Sequence, residues 1–244
     1  MQPTEFDLHA QLEDQHWWFR ARREIVFAML RRELPPSHDR RILEIGCGTG
    51  GNLRLLSQHY SALGIEIDPY AANLAAQRAG CEIRCGDIAA AMRETDFVPD
   101  AVLLLDVLEH VRDDRALLAQ SLALLPPGGL LLLTVPADQR LWSRHDIVLG
   151  HYRRYTQASL AALWQELPVE PLLLSGFNSL LYPAVRLART LRSSQKDSGS
   201  DLAPAHPLLN GVLYRIFAAE RHLLARTSLS WGCSLIAILR KSLP

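Results

Sequence analysis

Four glycines within six residues follow an acid in the segment Leu43-Glu44-Ile45-Gly46-Cys47-Gly48-Thr49-Gly50-Gly51-Asn52. Glycines so spaced let a chain turn tightly and come close to a ligand, and a helix starting there aims its N–H groups at it. Gly46, Gly48 and Gly51 satisfy the dinucleotide pattern G-x-G-x-x-G, while Gly46, Gly48 and Gly50 satisfy G-x-G-x-G. The loop alone therefore leaves the ligand open, and a purely structural turn remains one reading of it. Two further acids narrow the choice. Glu66 lies 20 residues after Gly46, where a carboxylate can accept hydrogen bonds from both hydroxyls of a ribose. Asp87, in Gly86-Asp87-Ile88, can accept from an adenine amino group, and Ile67 and Ile88 stand beside these acids to sandwich the ring.

Groups able to move a proton come later. His110 follows an apolar run, and His145 and His151 lie in Trp142-Ser143-Arg144-His145-Asp146-Ile147-Val148-Leu149-Gly150-His151-Tyr152-Arg153-Arg154-Tyr155. His145 with Asp146 reads as a usable base, with His110 as the other catalytic candidate. Arg153 and Arg154 can clamp a carboxylate or phosphate, and Trp142, His151 and Tyr155 complete a polar, aromatic wall. A solvated surface loop is the plainer alternative. A second aromatic and basic cluster, His16-Trp17-Trp18-Phe19-Arg20-Ala21-Arg22-Arg23, makes Trp17 and Trp18 further acceptor-binding candidates, or helix-docking residues. No metal site is expected, because the histidines and acids lack ligand spacing.

These residues need elements to position them. Apolar residues at helical spacing predict a helix over 6–33, stopped by Pro35-Pro36. Apolar runs predict strands at 41–45, 63–67, 82–85, 101–105 and 130–135, with helices at 52–59, 70–79 and 113–125 between them. Strands alternating with helices of this length predict a parallel sheet covered on both faces. Further on, 159–166 reads as helix and 169–175 as a sixth strand, followed by helical stretches at about 179–193 and 208–226 and a final strand at 233–240. Between those two stretches, 193–205 is rich in Ser, Asp, Pro and Gly and reads as a mobile loop. The predicted organisation is a helical cap (1–36), an α/β core (37–175), a helical insertion (176–232) and a last core strand (233–244).

The chain has 244 residues, 48% hydrophobic and 21% charged, enough to bury a full core and to exclude wholesale disorder. Acidic and basic residues balance at 26 each, so no whole-chain charge argues for nucleic acid. The balance conceals an asymmetry, because residues 178–244 carry nine Lys and Arg against three Asp and Glu. Such a split points to an anionic partner or membrane surface for that part. Arg186, Arg189 and Arg192, at i, i+3 and i+6 among leucines, suggest peripheral membrane contact through 179–193, with a lid or homodimer helix as the alternative. The four cysteines show no paired spacing, no basic-then-apolar leader is visible, and no apolar run reaches about 18 residues. A cytoplasmic protein with reduced thiols is expected, at most peripheral at the inner face of the membrane.

The motifs together resemble those of class I S-adenosylmethionine-dependent methyltransferases, of the group that includes ubiquinone-type and bacterial glycan-pathway enzymes. Glu44-x-Gly46-x-Gly48-x-Gly50 is similar to that family's first motif, Glu66 in Gly64-Ile65-Glu66-Ile67-Asp68-Pro69 to its ribose-binding acid, and Gly86-Asp87-Ile88 to its adenine-side motif. Leu105-Asp106-Val107-Leu108-Glu109-His110-Val111 resembles the fourth-strand motif, and Leu125-Pro126-Pro127-Gly128-Gly129 the turn before strand five. The resemblance covers roughly residues 40–175. It implies a doubly wound, Rossmann-like sheet of seven strands with the last antiparallel, and S-adenosylmethionine as cofactor, with Cys47 and Asp106 added to the cofactor-side residues. Glu44 supports this over a nicotinamide cofactor, since a carboxylate close to the glycines repels a pyrophosphate and suits a cation. The expected reaction is O-methylation of a small-molecule or lipid-linked acceptor. N-methylation and an inert cofactor-binding scaffold are its rivals.

Overall fold

The computed structural model describes residues 3–93, 95–192 and 206–243, so the expected mobile loop at 193–205 lies outside the described residues. Two N-terminal helices, α1 (Pro3–Gln15) and α2 (Trp17–Glu33), precede β1 (Ser37–Ile45), α3 (Leu53–Leu56) and β2 (Tyr60–Glu66). Next come α4 (Pro69–Arg78), β3 (Glu82–Cys85), α5 (Ile88–Ala91), β4 (Ala101–Leu105), α6 (Asp114–Ala123) and β5 (Leu130–Pro136). The chain ends with α7 (Arg144–Val148), α8 (Gln157–Ala161), β6 (Val169–Phe177), α9 (Tyr182–Arg192), α10 (Pro207–Leu224) and β7 (Ser234–Lys241).

The seven strands form one sheet in the order β3-β2-β1-β4-β5-β7-β6. Strands β1 to β5 pair in parallel, while β7 slots antiparallel between β5 and β6. The strand order reverses between β1 and β4, and open α/β sheets leave a crevice at the carboxyl ends of their strands at such a point. Alternation sets the two cores. Leu103 and Leu105 of β4 face a cluster that holds Ile25, Met29 and Leu30 of α2 and Phe217 of α10. Val102 and Leu104 face the other cluster, with Leu118 and Leu122 of α6 and Leu160 beyond them. The central strands are buried on both faces, which is why they read as continuous apolar runs.

Two local departures bear on the site. The helix expected over 6–33 is broken at His16, whose extended backbone and Nδ1 cap the Trp18 N–H at 3.3 Å. The neighbouring Trp17 N–H donates to Asn210 Oδ1 of α10 at 2.9 Å, so a residue remote in sequence completes the cap. The second strand ends at Glu66, one residue earlier than expected, leaving Ile67 outside it.

Candidate functional site

The first arm of the site is the loop leaving β1. Gly46 sits at φ +69°, and a Cβ there would lie 2.8 Å from Val107 Cγ2, so only glycine lets this turn meet the loop after β4. Gly48, at φ +55°, has nothing within 4 Å of the place its Cβ would take, so the backbone there borders open space. The Gly48 N–H donates to Glu66 Oε2 at 2.8 Å, and Asp68 N–H donates to the other oxygen at 2.9 Å. Glu66 thus orders the glycine loop while each oxygen keeps a further lone pair. Glu44 lies beneath. Its Oε1 accepts from Asn52 Nδ2 at 2.8 Å, and its buried Oε2 has no partner. Burial pushes its carboxyl up to about 7, against the pull of the Asn52 bond. Cys47, expected on the cofactor side, turns its buried Sγ toward Gly64 in the core.

At the sheet's β3 edge, Ile67 is 73% exposed and Ile88 half-buried. Asp87 caps α5 by accepting the Ala90 N–H at 2.7 Å. The three expected adenine-side residues therefore gather at one open edge, with Asp87 already holding a backbone N–H.

The N-terminal helices close over the loop in a way the sequence reading missed. Buried Glu13 accepts from Thr49 Oγ1 at 2.7 Å and from Arg78 at 3.1 Å. Arg22, also buried, reaches Asp106 Oδ2 at 2.7 Å and Thr134 Oγ1 at 2.9 Å. Asp106 holds φ +58° to make this contact at the end of β4. The Trp18 ring lies 5.4 Å from the Arg22 guanidinium, while Trp17 packs edge-on against Phe217. Both tryptophans are half-buried against the core, and Trp18 is the one that also lies beside Arg22. The basic cluster around these tryptophans was the available signal for Arg22; nothing in the spacing of Glu13 marked it.

The second arm follows β4 and β5. Glu109 is buried with one oxygen unpartnered, and burial, aided by nearby Asp106, holds its carboxyl well above the usual range. Next to it the rings of His110 and His151 meet edge to face, with centroids 4.6 Å apart. Burial of its ring and the neighbouring His151 bring His110 down to about 4. The partner the structure gives Asp146 corrects the expected His145–Asp146 pairing. The Asp146 carboxylate faces His151 Nδ1 at 3.0 Å, receives Arg154 at 2.8 and 3.1 Å, and accepts the Ser143 N–H at 2.8 Å. Burial works to raise its carboxyl, but the bonds from His151 and Arg154 outweigh this and hold it far below the usual range. His145 stands half-buried on α7 and Trp142 half-buried just before it.

The arginine clamp does not form either. Arg153 turns to Asp114 at 2.7 Å and to the Arg112 carbonyl, while Arg154 is spent on Asp146 and the Ala137 carbonyl. Tyr155 is buried and donates to Asp114 at 2.8 Å, so it braces α6 and does not face a ligand. Against the expectation of no metal cluster, Glu109, His110 and His151 bring their ligand atoms within 4.8 Å of one another. Such a set can hold a divalent cation.

Residues 16–168 match the model of a methyltransferase domain. The chain belongs to this methyltransferase-domain family. A ubiquinone biosynthesis O-methyltransferase of a Bradyrhizobium species is 36% identical over 104 residues, 38% of this chain and 39% of the relative. A probable S-adenosylmethionine-dependent methyltransferase of Mycolicibacterium smegmatis is 29% identical over 156 residues, 62% of this chain and 59% of the relative. The matches thus span less than two thirds of these relatives' lengths. Solved structures share the fold at low identity. The plantazolicin methyltransferase BpumL in complex with SAH aligns at TM-score 0.61 and 14% identity, covering 98% of this chain and 90% of its own. The N-methyltransferase NodS of Bradyrhizobium japonicum, in complex with S-adenosyl-L-homocysteine, aligns at 0.58 and 16%, covering 94% and 90%. The seven-stranded order with β7 antiparallel agrees with the expected Rossmann-like sheet.

Proposed function

We propose that this methyltransferase-family chain transfers a methyl group from S-adenosylmethionine to an oxygen of a small-molecule or lipid-linked acceptor, with His151 as base. The observation that carries the reading is the meeting of two arms at the strand-order reversal. Gly46 touches Val107, and three residues beyond Val107 the chain reaches the His110–His151 pair backed by Asp146.

The residues present fit an adenosyl ligand that carries positive charge. Glu44 offers a buried, unpartnered oxygen, and Gly48 leaves room where any other residue would place a Cβ. In this reading Glu66 accepts from the ribose hydroxyls with its spare lone pairs, and Ile67, Asp87 and Ile88 border the adenine. Gly46, Gly48 and Gly50 supply the close backbone, and Asp106, locked by Arg22, forms the wall between the arms. When bound, S-adenosylmethionine supplies a methyl group made electrophilic by its sulfonium. His151 takes the acceptor's hydroxyl proton, Asp146 fixes which ring nitrogen carries hydrogen, and His110 closes the side of the pocket. The oxygen reading also follows the relatives named as ubiquinone O-methyltransferases.

The Glu109, His110 and His151 cluster supports a second reading, in which a divalent cation polarises the acceptor oxygen. Calorimetric titration with S-adenosylmethionine and S-adenosylhomocysteine, followed by turnover on a panel of catechols and phenols, tests both. His151→Ala is expected to lower kcat at least ~100-fold while changing cofactor Kd less than about threefold. Abolition of wild-type turnover by EDTA, with recovery on adding Mg²⁺, would select the cation reading. Absence of binding to either adenosyl ligand would overturn both.

A further inference from the structure

Helix α10 is covered on one side only. Leu213, Phe217 and Leu224 face α2 and the core, and Tyr214 and Arg221 bond Glu24 of α2. Helical geometry puts Leu208, Leu209, Val212, Ile216, Ala219 and Leu223 on the opposite side. All six are exposed, Leu208 at 77% and Val212 at 52%. Leu180 and Trp231, exposed at 51% and 58%, extend this stripe. The Leu180 N–H is held by Glu220 of α10 at 2.7 Å, and Ser179 Oγ donates to the Trp231 carbonyl.

The charge beside the stripe has one sign. Arg215, His222 and Arg226 are exposed along its flank, and Arg186 is exposed on α9. Across α9 and α10 the only carboxylate is Glu220. It is buried, accepting the Ser179 and Leu180 N–H groups at 2.7 Å. An exposed aliphatic stripe with an arginine edge and, among the described residues of α9 and α10, no exposed acid is the arrangement that lies flat in the headgroup region of an anionic bilayer, where apolar burial and charge both contribute. A second copy fits less well, because an antiparallel two-fold contact through this stripe brings the arginine edges of both copies together. No described helix is long and apolar enough to cross a membrane, so the contact is with a surface.

We propose that the outer face of α10, with Leu180 and Trp231, docks the protein on an anionic lipid surface. The docking has a consequence for the cleft. Tyr182 of α9 bonds Asp138, and Arg189 stands 3.9 Å from Asp146, so α9, which starts two residues after Leu180, links the docking face to the loop that carries His151. Docking itself requires no methyl transfer and is measured without it.

The test is co-sedimentation of the full chain with vesicles of phosphatidylcholine plus phosphatidylglycerol, and with vesicles of phosphatidylcholine alone. Binding to the mixed vesicles is expected, falling with salt and at least about tenfold weaker on phosphatidylcholine alone. The doubly substituted variants Val212→Asp/Ile216→Asp and Arg215→Glu/Arg226→Glu should each lose at least about tenfold in partitioning. Circular dichroism and unchanged cofactor affinity would show that both variants are folded. Absence of binding, equal binding to the two vesicle types, or binding unchanged in both variants overturns the proposal. So does a concentration-dependent dimer in sedimentation velocity that Val212→Asp/Ile216→Asp dissolves, since a second copy would then cover the stripe.

Discussion

Replacing Glu44 with Gln isolates the buried acid beneath the glycine loop. The substitution keeps an oxygen to receive the Asn52 amide and replaces the unpartnered Oε2 with an NH2 group. Burial raises the wild-type carboxyl from 4.5 to about 7. Below pH 4.5 the group is protonated in the folded and unfolded chain alike and costs nothing. Between 4.5 and about 7 the unfolded chain releases the proton while the folded chain retains it, so stability falls as pH rises. Above about 7 both states are ionised and the loss is complete. A rise of this size corresponds to about 3 kcal/mol at roughly 1.4 kcal/mol per pH unit. Glu109 adds a slope of the same sign, so the measured quantity must be the difference between wild type and variant. Urea unfolding of both proteins at several pH values through the window supplies it. Wild type should lose about 3 kcal/mol relative to Glu44→Gln on going from the acid to the neutral end. Saturating S-adenosylmethionine should flatten the wild-type slope, because a cation nearby favours the carboxylate. Parallel stability curves for the two proteins would refute the reasoning, since they would mean that Glu44 ionises in the folded chain as it does in water.

Arg22→Met should destabilise the chain by about 2 kcal/mol in urea titrations. This is below the usual cost of breaking a buried pair, because the Asp106 side chain keeps 24% of its exposure; a change under about 0.5 kcal/mol would show that the contact between α2 and β4 is not formed in solution. Gly150→Ala and Gly128→Ala make a matched pair, since both glycines have positive φ, +74° and +82°, and open space at Cβ. Each should cost about 1 kcal/mol, but only Gly150→Ala should also lower turnover, because Gly150 ends the helix that carries Asp146. Equal turnover in the two variants would sever that link.

The core was legible because its signals are local and periodic. The bounds of β3 and β4 agree with the expected 82–85 and 101–105 to the residue, and the glycines, Glu66 and Asp87 fall at the strand ends where the loop pattern put them. The antiparallel insertion of β7 came from the resemblance and not from periodicity, which gives no strand order. The break at His16 was not legible either. Nothing in 6–33 interrupts a helix, and the cap on Trp17 comes from Asn210, whose position only the tertiary fold decides.

The acceptor arm departs from expectation in its side-chain partners. Pairing Asp146 with His145 rests on adjacency in sequence, yet neighbours on a helix point about 100° apart. What brings His151 back is the way α7 ends. Gly150 takes φ +74°, its N–H donates to the Ile147 carbonyl at 3.1 Å, and the His151 N–H donates to the Asp146 carbonyl at 2.9 Å. These two bonds form a Schellman motif, which reverses the chain over the last turn of a helix. The reversal lays the imidazole of His151 on the carboxylate of Asp146, while Tyr152 N–H, donating to the Glu109 carbonyl at 2.7 Å, ties the same turn to His110's segment. A glycine two residues past a short helix, with an acid at its third-last turn position and a histidine next, is therefore a readable sign of an Asp–His pair. The sign lies in the helix cap, and spacing rules for helix faces or metal ligands pass over it.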